Sequence, residues 1–285
     1  MKKFVFGLIL SCAIVSVSAQ GSFKVMFNKG GNEFKDASGE WVAIKTGATI
    51  PDNAIVKLGD SPYLGMAHTN GYTVELKEGP AEVNLADHVK EGGSDGVVKK
   101  YTDYISSKIN DDGSRNSLAA TGAVERATTT GFDVFLPKKA SFYEESAEVS
   151  WETIDGAESY HIAITDMMGT VVHEEDVAQT FTTIDLSELK GPLFLLKVKG
   201  SNGVASIEYA ITPTAPAKRS EIEAEITELK SAVEANSSMN ALIYAEFYER
   251  NDCMVDAASY YRKAVDLSPD VEYFQEMLEE FAARN

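Results

Sequence analysis

Histidine is the side chain that most readily moves protons near neutral pH, and this 285-residue chain has four: His68, His88, His161 and His173. Paired carboxylates are the other source of acid–base chemistry, and Glu144-Glu145, Glu174-Glu175 and Glu279-Glu280 supply them. A glycosidase holds two carboxylates roughly 5–10 Å apart across a cleft, and nothing in the placing of these pairs points to one. The pairs read as solvated charge. The histidines are scattered. His161 alternates with Tyr160 and Ile162 and so faces outward, and His173-Glu174 is a lone pair on a polar edge. His68 ends a strand row ahead of Asn70-Gly71, where its ring reaches solvent, so His68→Ala should leave fold and function intact. The stretch Asn110-Asp111-Asp112-Gly113 invites a calcium-loop reading. Its glycine at loop position six would put Lys108 at position one and Ala119 at position twelve, where acidic ligands are needed. It reads as a turn. The sequence contains no H-E-x-x-H, P-loop or dinucleotide glycine fingerprint. The expectation is a non-enzyme with no catalytic residues, no metal and no cofactor.

The formal charge of −18, from 44 acidic and 26 basic residues, disfavours nucleic acid as a partner. Residues 1–19 read as a signal peptide: Lys2 and Lys3, an apolar run from Phe4 to Val17, then Val17-Ser18-Ala19 before Gln20. No later stretch approaches the roughly 20 apolar residues that span a bilayer. The expected place is the periplasm of a Gram-negative bacterium. Ile9-Leu10-Ser11-Cys12 is similar to a lipobox, so a lipoprotein anchored at Cys12 is an alternative, as is a secreted protein. After cleavage only Cys253 remains, read as a buried thiol.

Residues 22–89 alternate like short strands. Phe23, Val25 and Phe27 share one face; Leu64, Met66 and His68 share another; Tyr72, Val74 and Leu76 follow the Asn70-Gly71 hairpin signal. The segments "EWVAIKTGATIPDNAIVKLGDSPYLGMAHTNGYTVELKEG" and "KVMFNKGGNEF" resemble a FecR-type domain. That resemblance implies an all-β fold and envelope association. The cytoplasmic and membrane segments of FecR regulators have no counterpart here, so their mechanism does not carry over. Residues 90–131 read as a short helix, with Val98, Tyr101, Ile105 and Ile109 at helical spacing, and a polar linker.

Residues 132–213 alternate again: Val149 with Trp151; Tyr160, Ile162 and Ile164; Phe194, Leu196 and Val198. Asp155-Gly156, Met168-Gly169 and Asn202-Gly203 punctuate them. The pattern predicts an antiparallel sandwich. With Trp151, "DGAESY" and Tyr160 it resembles an Ig-like or fibronectin type III module.

Beyond the hinge at 212–218, residues 218–285 read as helical, opened by a Ser220/Glu223 capping box. Ala245, Tyr248, Ala257, Tyr261, Ala264 and Pro269 fall in the register of one tetratricopeptide repeat, which this segment resembles. Helices at 220–235 and 270–284 would supply the missing packing. The family register implies a concave peptide-binding groove lined by Met239, Leu242, Glu246, Glu249 and Arg250, its acids favouring a basic or polar peptide.

The expected architecture is thus multidomain β plus α: FecR-like β-domain, antiparallel β-sandwich and helical hairpins. The expected function is a non-enzymatic envelope adaptor or scaffold with a protein or peptide partner. The rival is a glycan or cell-wall binder acting through the β-domains, which requires Trp41, Tyr63 and Tyr72 exposed on a sheet face.

Overall fold

The computed structural model describes residues 21–79, 82–90, 96–119, 131–233 and 235–283. The expected leader and stretches 91–95 and 120–130 of the expected link lie outside them.

The first unit contains β1 (Ser22–Lys29), β2 (Glu33–Lys35), β3 (Trp41–Ala43), β4 (Thr49–Pro51), β5 (Ile55–Lys57), β6 (Tyr63–His68), β7 (Thr73–Leu76) and β8 (Glu82–Asn84). These make two four-stranded antiparallel sheets, ordered β4-β1-β6-β7 and β3-β2-β5-β8. Phe23, Val25, Ile50, Val56, Leu64, Met66 and Val74 form the core that joins them. Gly71 turns the β6–β7 hairpin at φ 91°, a left-handed geometry that favours glycine. The register of β1 shifts between Val25 and Phe27. The expected shared face of these two residues is therefore split. Val25 stays in the intersheet core, while Met26 and Phe27 pack in the second core with the helices. Every position of β6 is buried because helices cover its other face.

A helix, α1 (Val97–Ala119), follows. It runs through Asn110–Gly113, where a turn was expected. These residues are poor helix formers, but Gly costs only about 1 kcal/mol against Ala and no proline interrupts the run.

The sandwich contains β9 (Lys139–Phe142), β10 (Ser146–Ser150), β11 (Tyr160–Asp166), β12 (Val171–Val177), β13 (Phe181–Asp185), β14 (Phe194–Gly200) and β15 (Tyr209–Pro213). One sheet has five strands, β12-β11-β14-β15-β9, antiparallel except for the parallel β9–β15 pair; the other is β10-β13 alone. Trp151, Tyr160, Ile162, Ile164, Phe194, Leu196 and Val198 are buried, as their alternation predicts.

Four helices complete the chain: α2 (Pro216–Ala232), α3 (Ser238–Arg250), α4 (Met254–Leu267) and α5 (Glu272–Ala283). α2 begins earlier than the Ser220 capping box predicts. Pro216 occupies its first turn, where a missing N–H costs nothing. Ser220 lies inside the helix, bonding the Pro216 carbonyl at 3.1 Å, and Glu223 instead accepts from the Tyr143 hydroxyl at 2.5 Å. Ala241, Ala245, Ala257 and Ala264 let α3 and α4 approach, and Tyr248 and Tyr261 are fully buried there. Cys253 is a buried free thiol, pushed up to about 11 by burial.

The helices tie the two β-units together, and one continuous core cluster runs through the first sheet, α1, the sandwich and α2–α5. β4-β1-β6-β7 meets them through the polar face of β7. Glu75 accepts the Met239 N–H at 2.6 Å at the start of α3, Lys77 Nζ reaches the Leu267 carbonyl at 3.0 Å, and Thr73 bonds Asn240. A carboxylate is favoured at a helix N-terminus. Gly65 permits the close approach of α3, since a Cβ there would sit 2.6 Å from Met239 Sδ. On the other side Asp256 of α4 accepts from the Tyr143 and Glu144 N–H groups at 2.7 and 2.8 Å, and Ser259 accepts from the Glu148 N–H at 2.9 Å. Helix α4 thereby packs against β9 and β10, beside the short second sheet.

Candidate functional site

The expected groove is filled by the chain itself. Met239 and Leu242 are buried in the shared core. Glu246 is only 1% exposed and is held by Lys108 Nζ of α1 at 2.8 Å and by Arg250 Nε at 3.1 Å. Burial raises the Glu246 carboxyl against the opposing pull of Lys108. Glu249 accepts from the Tyr261 hydroxyl at 2.6 Å and lies 3.7 Å from Lys108. Arg250 is exposed but stacks its guanidinium 3.3 Å from the centroid of the Tyr104 ring, also on α1. Helix α1 thus covers Glu246, Glu249 and Arg250, while Met239 meets Gly65 of β6. All five residues lie on α3 and serve intramolecular packing. Short-range spacing could not show this, because α1 is more than a hundred residues away in the chain.

The aromatic platform expected of a glycan binder is not formed either. Tyr63 is buried and donates to Glu75 at 2.8 Å. Trp41 is half-buried, with Lys35 and Lys57 ammonium groups 5.6 and 5.8 Å from its centroid. Tyr72 is half-buried and stacked on His68 at 4.6 Å.

His68 corrects the expectation of a solvated edge residue. It is 4% exposed, sandwiched between Tyr72 and the edge-on Phe23 ring, and its Nδ1 accepts the Asn70 N–H at 3.1 Å. Burial lowers its pKa, partly opposed by Asp52. His68→Ala is now expected to destabilise the first unit by about 1–2 kcal/mol, because it empties a packed aromatic niche. Equilibrium urea unfolding would measure this; an unchanged midpoint would return the residue to a passive edge role.

The other histidines assemble no catalytic group. His161 points outward as predicted and pairs with Asp176 at 3.0 Å. His173 lies 3.5 Å from Glu175, not paired with Glu174 as expected, because alternate residues of a strand share a face. His88 is half-buried in the 3-10 turn Leu85–His88. Among the described residues no group of three or more His, Cys, Asp or Glu side chains is placed to hold a metal.

What stands open is the β11–β12 hairpin. Eight large hydrophobic residues are exposed among those described, and four fall within six positions: Met167, Met168, Val171 and Val172. This concentration sets the hairpin apart from scattered surface apolar residues, which need no explanation. The tip is held in shape. Asp166 Oδ1 accepts the Met168 and Thr170 N–H groups at 2.8 and 2.9 Å, and Gly169 turns at φ 82°. Those N–H groups hold the Asp166 carboxyl below its usual range. Met168 is 91% exposed. Beside the tip, β12 is the end strand of its sheet, and Glu174 and Asp176 carry exposed carboxylates. The arrangement offers a rigid apolar knob with an acidic flank. In the sequence Met168-Gly169 reads only as punctuation; two methionines at a turn tip, where small polar residues are usual, were the available signal.

Residues 145–211 match the family model of a secretion system C-terminal sorting domain, which spans β10 to β15 and includes this hairpin. That match indicates an exported protein, and no helix among the described residues is long and apolar enough to cross a membrane. No curated protein matches the sequence. Of solved structures, CopC from Methylosinus trichosporium OB3b is 18% identical over 30% of this chain and 93% of its own, with a TM-score of 0.22. A beta-1,2-glucanase from Parabacteroides distasonis is 10% identical over 87% of this chain and 38% of its own, also with a TM-score of 0.22.

Proposed function

We propose that this chain is a non-enzymatic envelope adaptor that binds another protein through the β11–β12 hairpin of its sandwich. The supporting observation is the cluster of exposed Met167, Met168, Val171 and Val172 on a turn already ordered by Asp166. A preformed apolar tip loses little conformational freedom on binding. The partner suited to it carries an apolar pocket with a basic rim facing Glu174 and Asp176. In this reading the first unit is a FecR-like domain, the middle an Ig- or fibronectin-like sandwich, and α3–α4 a tetratricopeptide-like hairpin that braces the two. The proposed place is the periplasm. The sorting-domain match supports export and lies on the module assigned the binding role.

The test uses the full chain in its native envelope, since α4 shares a core with the sandwich and truncation after Pro216 would unfold both. A photo-crosslinking residue at Met168 is compared with one at exposed Lys190, with and without Met168→Asp plus Val172→Lys. The expected result is a defined protein adduct from position 168 alone, reduced at least tenfold by the double substitution at unchanged melting temperature. Adducts equal at both positions, or insensitive to the double substitution, would make the reading wrong.

A further inference from the structure

Strand β12 ends its sheet, so part of its main chain faces away from β11. Alternation shows which part. The Ser201 N–H donates to the Ser159 carbonyl at 2.9 Å, so on β11 the main-chain groups of His161, Ala163 and Thr165 turn toward β14. Those of Tyr160, Ile162 and Ile164 turn the other way, opposite Val177, Glu175 and His173 of β12. The Asp166 N–H keeps this phase at the hairpin end, donating to the Thr170 carbonyl at 2.9 Å. Glu174 and Asp176 therefore present their N–H and C=O groups to the open side. Among the described residues no main chain other than that of β11 bonds this strand. A register shift near the tip leaves Val172 without a direct partner, and pairing is regular from His173 to Val177. The carboxylates of Glu174 and Asp176 are exposed on the sheet face that carries His161.

Sheet edges are commonly blunted by lysine, proline or a covering segment. Strand β12 contains neither lysine nor proline, and its charged groups are acids. The acids bar a second copy of the chain. Antiparallel self-pairing along the whole strand sets Glu174 opposite Glu174 at its centre, and like charges directly opposite are destabilising. They favour the reverse charge. We infer that the partner adds an extended antiparallel strand to the open edge of β12, with lysine or arginine at the two alternate positions opposite Glu174 and Asp176. Main-chain bonds to these two residues supply attachment, and the paired charges, about 7 Å apart along the strand, supply selection. The inference builds on the hairpin reading: the added strand runs beside the apolar tip and belongs to the same partner.

The probe is a fluorescein-labelled peptide amide, Thr-Lys-Val-Lys-Val-Lys-Thr, added to the full-length protein and followed by anisotropy. Its lysines pair with Glu174 and Asp176, so their N–H groups face β12 and those of its valines face away. Saturable binding is expected, half-complete at about 100 µM or below. N-methylation of the lysine main chain keeps the charge but removes the donors, and should weaken binding at least about tenfold. N-methylation of the valines should change it by less than about threefold, and the peptide with glutamate for lysine should bind at least about tenfold more weakly. In the protein, Asp176→Pro removes an N–H that no other part of the fold uses, so it should weaken binding about tenfold at unchanged melting temperature. If that variant fails to fold, the two N-methylated peptides on the unaltered protein still decide. No saturable binding, or equal binding of the two N-methylated peptides, overturns the inference. The crosslink from position 168 separates this inference from the hairpin reading. An adduct that persists at full yield in Asp176→Pro leaves the hairpin reading in place and overturns strand addition. Donor-dependent peptide binding with no adduct from position 168 supports the edge site and removes the hairpin reading alone.

Discussion

Asp256→Ala is expected to destabilise the protein by roughly 3 kcal/mol, a fall of about 6–10 °C in melting temperature. Asp256 is 1% exposed, and its two oxygens each take one backbone N–H, from Tyr143 and Glu144. Those two residues form the corner between β9 and β10. Alanine would leave both donors without their acceptor and loosen the contact that seats α4 on the sandwich. The corner is further held by Glu144, which accepts from the Tyr248 hydroxyl of α3 and pairs with Lys230 of α2 at 2.8 Å. Asp256→Asn keeps an acceptor and should recover more than half of the loss. Differential scanning calorimetry of the three proteins checks this. Equal melting of Ala and Asn variants would mean that shape, and not the acceptor, is what matters.

Stability should also fall as pH rises from about 4 to about 7. Burial pushes the Asp256 carboxyl up to about 7, against the lowering effect of its N–H donors, and burial pushes Glu148 up to about 7 with Asp266 adding to the rise. Over this window the folded protein keeps protons that the unfolded chain has released. Folding therefore takes up protons, and stability is greatest below the unfolded carboxylate pKa, declining until pH passes the folded value. A tenfold difference in proton affinity between the folded and unfolded chain corresponds to about 1.4 kcal/mol. Discounted for partial solvation, the two carboxyls should make the protein about 2 kcal/mol more stable at pH 5 than at pH 8. Urea midpoints at the two pH values measure it. The double variant Asp256→Asn, Glu148→Gln should lose most of the difference; a midpoint that rises with pH in the wild type would contradict the raised values.

The interior alternations were legible because each depends only on neighbours in the chain. Tyr160, Ile162 and Ile164 face one way on β11 for the same reason that Thr73 and Glu75 face the other way from Val74 on β7. Turn positions were legible because Gly71, Gly156, Gly169 and Gly203 adopt left-handed φ values that favour glycine. The alanines of α3 and α4 announced a close helix pair before any partner was known. The candidate site was harder to find. Its two methionines and two valines look like the apolar positions of any strand, and exposure is a property of what fails to pack above them.

Composition, spacing and turn chemistry determined by themselves the succession of β-unit, helix, β-sandwich and helical end, and the buried state of Cys253. Tertiary structure alone decided what the polar and amphipathic faces meet. Thr73, Glu75 and Lys77 share one face of their strand, and that face holds α3 and α4. Met239, Leu242 and Glu246 read as an open groove and are covered by α1 or the first sheet. His68 reads as an edge ring and is enclosed by Phe23 and Tyr72. The reason is physical. Periodicity states which side chains share a face, but burial is set by contacts between segments far apart in the chain, and those contacts leave no local periodic signal.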